Sequence, residues 1–127
     1  MVNKLTITAA GVCYMLLIIV GSLSNLKDLP NLNIEFQDKI IHLIAYALLC
    51  FVWFIMFESY KMGNSLRYSI LVSIVFGTVI EFLQANLTSY RAFDIFDIIA
   101  NVAGILIMTK WIALNKPLIV KKLETFM

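Results

Sequence analysis

The sequence predicts an all-α membrane protein: four transmembrane helices in a compact bundle, with both termini cytoplasmic. Three observations carry that expectation. Apolar residues make up 61% of the 127-residue chain and charged residues only 14%, against about 25% charged in a typical soluble domain. The apolar residues gather into four long runs, and a hydrocarbon core needs about 20 consecutive apolar residues per helix. The basic residues are shared unevenly between the two sides that such helices would define, and an excess of lysine and arginine marks the cytoplasmic side.

The first run is residues 5–24, LTITAAGVCYMLLIIVGSLS. Its flanks are compatible with a secretory signal cleaved near VGS, but the run is long for such a signal and further membrane segments follow. It reads as an uncleaved first helix. Residues 25–39 form a linker broken by Pro30 and Asn31, with leucines placed to skim the interface. The second helix, about residues 40–58, is apolar except for His42 near its start. After the polar turn SYKMGNSLR comes the third helix, about residues 68–85, with Glu81 and Gln84 near its end. The turn NLTSYRA leads to the fourth, about residues 94–114, which Pro117 is expected to stop.

An even number of helices puts both termini on one side. That side would hold Lys4, Lys61, Arg67, Lys110, Lys116, Lys121 and Lys122, and the other Lys27, Lys39 and Arg91. Seven against three makes the first side cytoplasmic. Trp53, Tyr60, Tyr68 and Trp111 would then lie toward the inner interface and Tyr90 at the outer one. Cys13 and Cys50 fall inside apolar runs and read as buried thiols. A net charge of +2, without a basic cluster interleaved with aromatics, argues against nucleic acid as a partner. The bilayer itself is the expected partner.

The polar residues of the last three helices converge on the outer side. Asp38, Lys39, His42 and Tyr46 open the second helix, Glu81 and Gln84 close the third, and Arg91, Asp94, Asp97 and Asn101 enter the fourth. Asp38, His42 and Tyr46 recur every four residues, while Asp94, Asp97 and Asn101 follow spacings of three and four, so each helix presents one polar stripe. These ten residues make an outward-facing candidate pocket. The first helix offers only Thr6, Thr8, Ser22 and Ser24 and reads as packing support.

At these residues the chain resembles the VanZ-like family of bacterial multi-pass membrane proteins. DKIIHLIAY (residues 38–46), EFLQ (81–84) and RAFDIFDIIANVAG (91–104) carry the resemblance, over roughly residues 38–108. Ser89-Tyr90 replaces the Pro-Gly that many members have, and Met108 stands where a second small residue often follows Gly104, which disfavours a close GxxxG crossing. The resemblance implies a single VanZ-like domain over residues 1–127 and a role in the bacterial cell envelope, at the inner membrane. Some members are linked to teicoplanin resistance.

Each stripe also has a structural reading. Asp94 and Asp38 are placed to cap the fourth and second helices. His42 could be a satisfied core histidine. Glu81 lies at the unfavourable, C-terminal end of a helix dipole and calls for a partner, with Arg91 across the turn the nearest in sequence. Four carboxylates against Lys39 and Arg91 leave two negative charges unbalanced, which a shared proton, a charged His42 or a bound cation would offset. One histidine without a nearby cysteine disfavours zinc. No cofactor is called for, although a hard cation such as magnesium or calcium with oxygen ligands stays open. The expected function is recognition of an envelope lipid headgroup, cell-wall precursor or glycopeptide. The alternative is a small membrane hydrolase or transferase acting on a lipid-linked phosphate, with His42 and Glu81 as its acid–base residues. A third reading is an assembly subunit whose polar rim only fixes helix packing.

Overall fold

The computed structural model describes residues 1–24 and 36–127. Four helices follow in chain order: α1 (Lys4–Leu23), α2 (Gln37–Ser59), α3 (Ser65–Leu87) and α4 (Ile95–Phe126). Each is long and apolar enough to cross a membrane. The linker between α1 and α2, with Lys27 and the leucines expected to skim the interface, lies outside the described residues.

Helices α1 and α3 run in one direction, α2 and α4 in the other. At the terminal end of the bundle the Val2 N–H donates to the Phe126 carbonyl at 3.0 Å, and the Lys4 ammonium lies over the Tyr60 ring at 5.5 Å. The opposite end, the rim, gathers the starts of α2 and α4 and the ends of α1 and α3. Helix α2 packs against each of the other three, and most extensively against α4.

The bundle is apolar outside and partly polar within. Leu16, Leu17, Val20, Leu71, Val75, Leu106, Ile107 and Leu114 are exposed, while Ser65, Ser69, Ser73, Glu81, Gln84, Asp97 and Asn101 are buried. Lipid tails are as apolar as leucine, so such helices associate through close packing and polar contacts rather than by escaping water. The α3 interface shows how. Ser65, Ser69, Ser73, Gly77 and Glu81 recur every fourth residue on its buried face, and two of the serine hydroxyls return bonds to their own chain, Ser65 to the Met62 carbonyl at 2.6 Å and Ser69 to the Leu66 carbonyl at 2.8 Å. Ile18, Tyr46, Leu49, Cys50 and Ile105 form a small apolar core beside this stripe.

Two glycines admit neighbours that no side chain could. A Cβ on Gly77 would stand 2.7 Å from the Tyr46 ring, and one on Gly104 would stand 2.0 Å from the Leu43 carbonyl oxygen. Helices α2 and α4 therefore cross in near backbone contact, despite Met108. The small partner lies on the other side of Gly104: Ala100, four residues earlier and also buried, completes the small-xxx-small pair.

Other expectations are corrected as well. Helix α4 does not stop at Pro117 but runs through it to Phe126. Proline costs a helix one hydrogen bond to the carbonyl four residues back, here that of Ala113, and the apolar pattern resumes with Leu118, Ile119 and Val120. Helix α2 begins at Gln37, so Asp38 sits in its first turn and is not its N-cap; that place falls to Phe36, which makes no side-chain cap bond. Cys13 is exposed on the outer surface of α1, whereas Cys50 is buried as expected. Trp53 packs against the apolar core and stacks on Phe57 with ring centroids 5.2 Å apart.

Candidate functional site

The side chains of the rim come from three helix ends, the starts of α2 and α4 and the end of α3. Asp94 caps α4, its carboxylate accepting the Phe96 N–H at 2.8 Å, and this fixes Asp97 in the first turn of α4, pointing back across the bundle. The Lys39 ammonium, from the first turn of α2, donates to Asp94 at 2.5 Å and to Asp97. These bonds, with the Phe96 N–H, hold the Asp94 carboxyl below its ordinary pKa, the Lys39 bond contributing most. Arg91, in the turn before α4, reaches both Asp38 oxygens, at 2.9 and 3.1 Å, and stands 3.5 Å from Asp97. Lys39 also lies 3.6 Å from Asp38, so the two cations share two carboxylates.

Burial is graded through the cluster. The Asp38 side chain is 48% exposed and those of Lys39 and Arg91 about a quarter; Asp97 falls to 3% and Glu81 to 1%. His42 lies between these layers. Its Nδ1 meets Asn101 Oδ1 at 2.9 Å, which leaves Nε2 turned outward. Nε2 then faces Asp97 Oδ2 at 3.8 Å and Asp38 Oδ1 at 3.9 Å. Glu81 Oε1 stands behind the ring, 3.8 Å from Nδ1. The Tyr46 ring lies nearly parallel to that of His42, 4° between planes and 6.4 Å between centroids, and occupies the space that Gly77 leaves.

Three groups in the buried layer carry unused hydrogen-bonding capacity. Among the described residues neither Glu81 oxygen finds a hydrogen-bond partner, nor does Gln84 Oε1 or Asn101 Nδ2. The amide of Gln84 does donate to the Ser22 carbonyl at 2.5 Å, and the Tyr90 hydroxyl donates to the carbonyl of Leu23.

Nine of the ten candidate residues thus lie at the rim, with Tyr46 below them in the apolar core, and the contacts differ from the sequence expectation in two respects. Arg91 pairs with Asp38, not with Glu81, which among the described residues is left without an ion pair inside hydrogen-bond distance. Helix α1 contributes two backbone carbonyls to the rim, which no side-chain pattern could signal. Gly77 and Ala100 were absent from the candidate list; the run of small residues every fourth position on α3 and the Ala100–Gly104 spacing are the signals that mark them. One histidine without cysteine gives no metal-binding spacing in sequence, yet the fold brings one ligand atom each from Asp38, His42 and Asp97 within 4.8 Å of one another.

These features define a class: a multi-pass membrane protein whose helices are lipid-facing along their length and carry a buried ionisable cluster at one end. The sequence pattern of the VanZ/LLP1 family matches residues 4–115. The chain belongs to the VanZ/LLP1 family. An uncharacterized protein of Schizosaccharomyces pombe is 40% identical over 76 residues, a stretch that covers 59% of this chain and 46% of that protein. The chain thus matches less than half of the yeast protein's length. No solved structure matches.

Proposed function

We propose that the rim is an outward-facing pocket for the phosphate-bearing headgroup of a membrane lipid or lipid-linked precursor. The observation that carries this reading is the graded burial: paired but partly exposed Arg91 and Lys39 at the mouth, over a buried layer of His42, Asp97 and Glu81. Ionisable residues within membrane segments are costly, at least ~2.5–3.5 kcal/mol at the bilayer centre, and their retention points to a role. At the end of the bundle both cations can exchange a carboxylate for a phosphate without leaving the headgroup layer. Similarity to a fungal protein favours a headgroup common to membranes at large over a peptidoglycan precursor, which fungi do not make. Placement in a bacterial inner membrane, and a contribution to teicoplanin resistance of the kind associated with some VanZ-like proteins, belong to the same proposal.

Native mass spectrometry of the protein released from nanodiscs of mixed phosphatidylethanolamine and phosphatidylglycerol tests it. One lipid should stay bound per chain, and Arg91→Gln should remove it while leaving the helical signal intact. Lipid retention unchanged by Arg91→Gln would overturn the reading. In cells, expression should shift teicoplanin susceptibility, and the same substitution should abolish the shift.

A second reading, a small membrane hydrolase or transferase, draws on the His42 environment. An imidazole with Asp97 on one side and Glu81 on the other can pass a proton between them. Turnover of a lipid phosphate ester, lost in Glu81→Gln, would establish it.

A further inference from the structure

We infer that Asp38, His42 and Asp97 form a binding site for a first-row divalent transition-metal cation, of which Mn²⁺ is the probe. The three ligand atoms all lie within 4.8 Å of one another, and the ligands of a cation bound at about 2.0–2.4 Å stand about 3–5 Å apart. The donor chemistry fits the same class. Carboxylates suit magnesium, calcium and manganese, whereas imidazole suits transition metals; one imidazole with two carboxylates selects from the overlap.

The orientation of His42 adds an independent argument. With Nδ1 held by Asn101, Nε2 is the ring nitrogen that faces two carboxylate oxygens, at 3.8 and 3.9 Å. The positive charge now beside these atoms is the Arg91 guanidinium, bonded to Asp38 Oδ1 and 3.5 Å from Asp97 Oδ2, and a metal cation would take its place. A metal-bound histidine also has its other ring nitrogen held by an amide or carboxylate, which fixes the tautomer. Asn101 supplies that bond, and Glu81 stands behind it, 1% exposed, with neither oxygen hydrogen-bonded among the described residues and one of them 3.8 Å from Nδ1. A cation on Nε2 would make the Nδ1 proton more acidic and draw Glu81 onto it. It would also offset the two unbalanced negative charges of the cluster.

Arg91 is the competitor. Its guanidinium already occupies Asp38 Oδ1, the oxygen that faces His42, at 3.1 Å. Metal entry therefore requires Arg91 to swing away, which its partial exposure allows. The inference stands without the headgroup reading, because the cation alone is the probe, and Arg91→Gln separates the two: it should weaken lipid retention and tighten metal binding.

The experiment is a Mn²⁺ titration of the purified full chain in detergent, followed by electron paramagnetic resonance. One ion should bind per chain, with nitrogen coupling from one imidazole in the pulsed spectrum. Affinity should fall about tenfold or more in Asp97→Asn and in His42→Gln, with the nitrogen coupling lost in the latter, since ligand and supporting-residue changes cost about this much. Asp38→Asn, at the half-exposed position, gives the same test should either buried variant fail to fold. Glu124→Gln, at the opposite end, should bind as wild type does, and Arg91→Gln at least threefold more tightly. No saturable binding by folded wild type, binding without nitrogen coupling, or binding indifferent to all three ligand substitutions would each overturn the site.

Discussion

Glu81 and Asp97 are neighbours in the buried layer, yet they stand in opposite relation to stability. Asp97 accepts from Lys39 and lies 3.5 Å from Arg91, whereas neither oxygen of Glu81 is hydrogen-bonded among the described residues. A buried polar group left unsatisfied costs about 1–3 kcal/mol, and a hydrogen bond to a charged group contributes about 1.5–3. Without added metal, Glu81→Gln, which replaces a group able to carry a buried charge by a neutral one of the same shape, should raise the thermal midpoint in detergent. Asp97→Asn should lower it by about 1.5–3 kcal/mol. A marked loss in both would make the rim a structural ion network and remove the case for a site. A residue kept at a cost to stability is expected where function requires it, so the Glu81→Gln protein should be the more stable of the two and still show weakened Mn²⁺ affinity. At this scale the sequence was legible in kind and depth. Stripes at spacings of three and four put the polar residues at one end, but which cation meets which carboxylate depends on how α2 and α4 are rotated against each other. That is why Arg91 stands nearest to Glu81 in sequence and meets Asp38 in space.

The helices themselves follow from hydropathy, and their ends follow from finer chemistry. Phe36, not Asp38, precedes α2, because the helix reaches back to Gln37 and takes in the polar residues that the apolar run alone left outside. At 32 residues and 1.5 Å per residue α4 is about 48 Å long, well beyond a hydrocarbon core of about 30 Å, so its last turns need no lipid-facing pattern to persist. Composition cannot register the crossing of α2 and α4, which rests on one missing Cβ. Gly104→Ala would drive a methyl group into the Leu43 carbonyl, 2.0 Å away. Backbone cannot rotate aside as a side chain does, so the helices must part. Overpacking typically costs about 1–3 kcal/mol, and the expectation here is the upper end, together with loss of Mn²⁺ binding as Asp97 withdraws from His42. Gly11→Ala on α1 is the control. Its Cβ would meet Val52 at 3.4 Å, an ordinary contact, and the midpoint should stay within ~0.5 kcal/mol of wild type. Equal effects of the two substitutions would mean that Gly104 does not set the crossing.

For the whole molecule the open question is which side of the membrane the rim faces. The bundle gives a geometric answer only in part: the termini share one end, joined by the Val2–Phe126 bond, and the charged cluster occupies the other. The distribution of lysine and arginine supplies the direction, and the fold sharpens it. Of the three basic residues assigned to the outer side, Lys39 and Arg91 are held in ion pairs at the rim. Lys110 and Lys121, by contrast, are exposed on the part of α4 toward the terminal end, free to favour the cytoplasmic face. The prediction is that both termini are cytoplasmic. Two single-cysteine variants, Ser89→Cys at the rim and Glu124→Cys at the terminal end, test it in a background where Cys13 and Cys50 are replaced by serine. Both chosen positions are exposed. A membrane-impermeant maleimide applied to intact cells should label Ser89→Cys at once and Glu124→Cys only after permeabilisation. The reverse pattern would turn the rim toward the cytoplasm. The cation site could survive that result, since its geometry is indifferent to direction, but a headgroup bound there would have to come from the inner leaflet, and an external glycopeptide could no longer reach it.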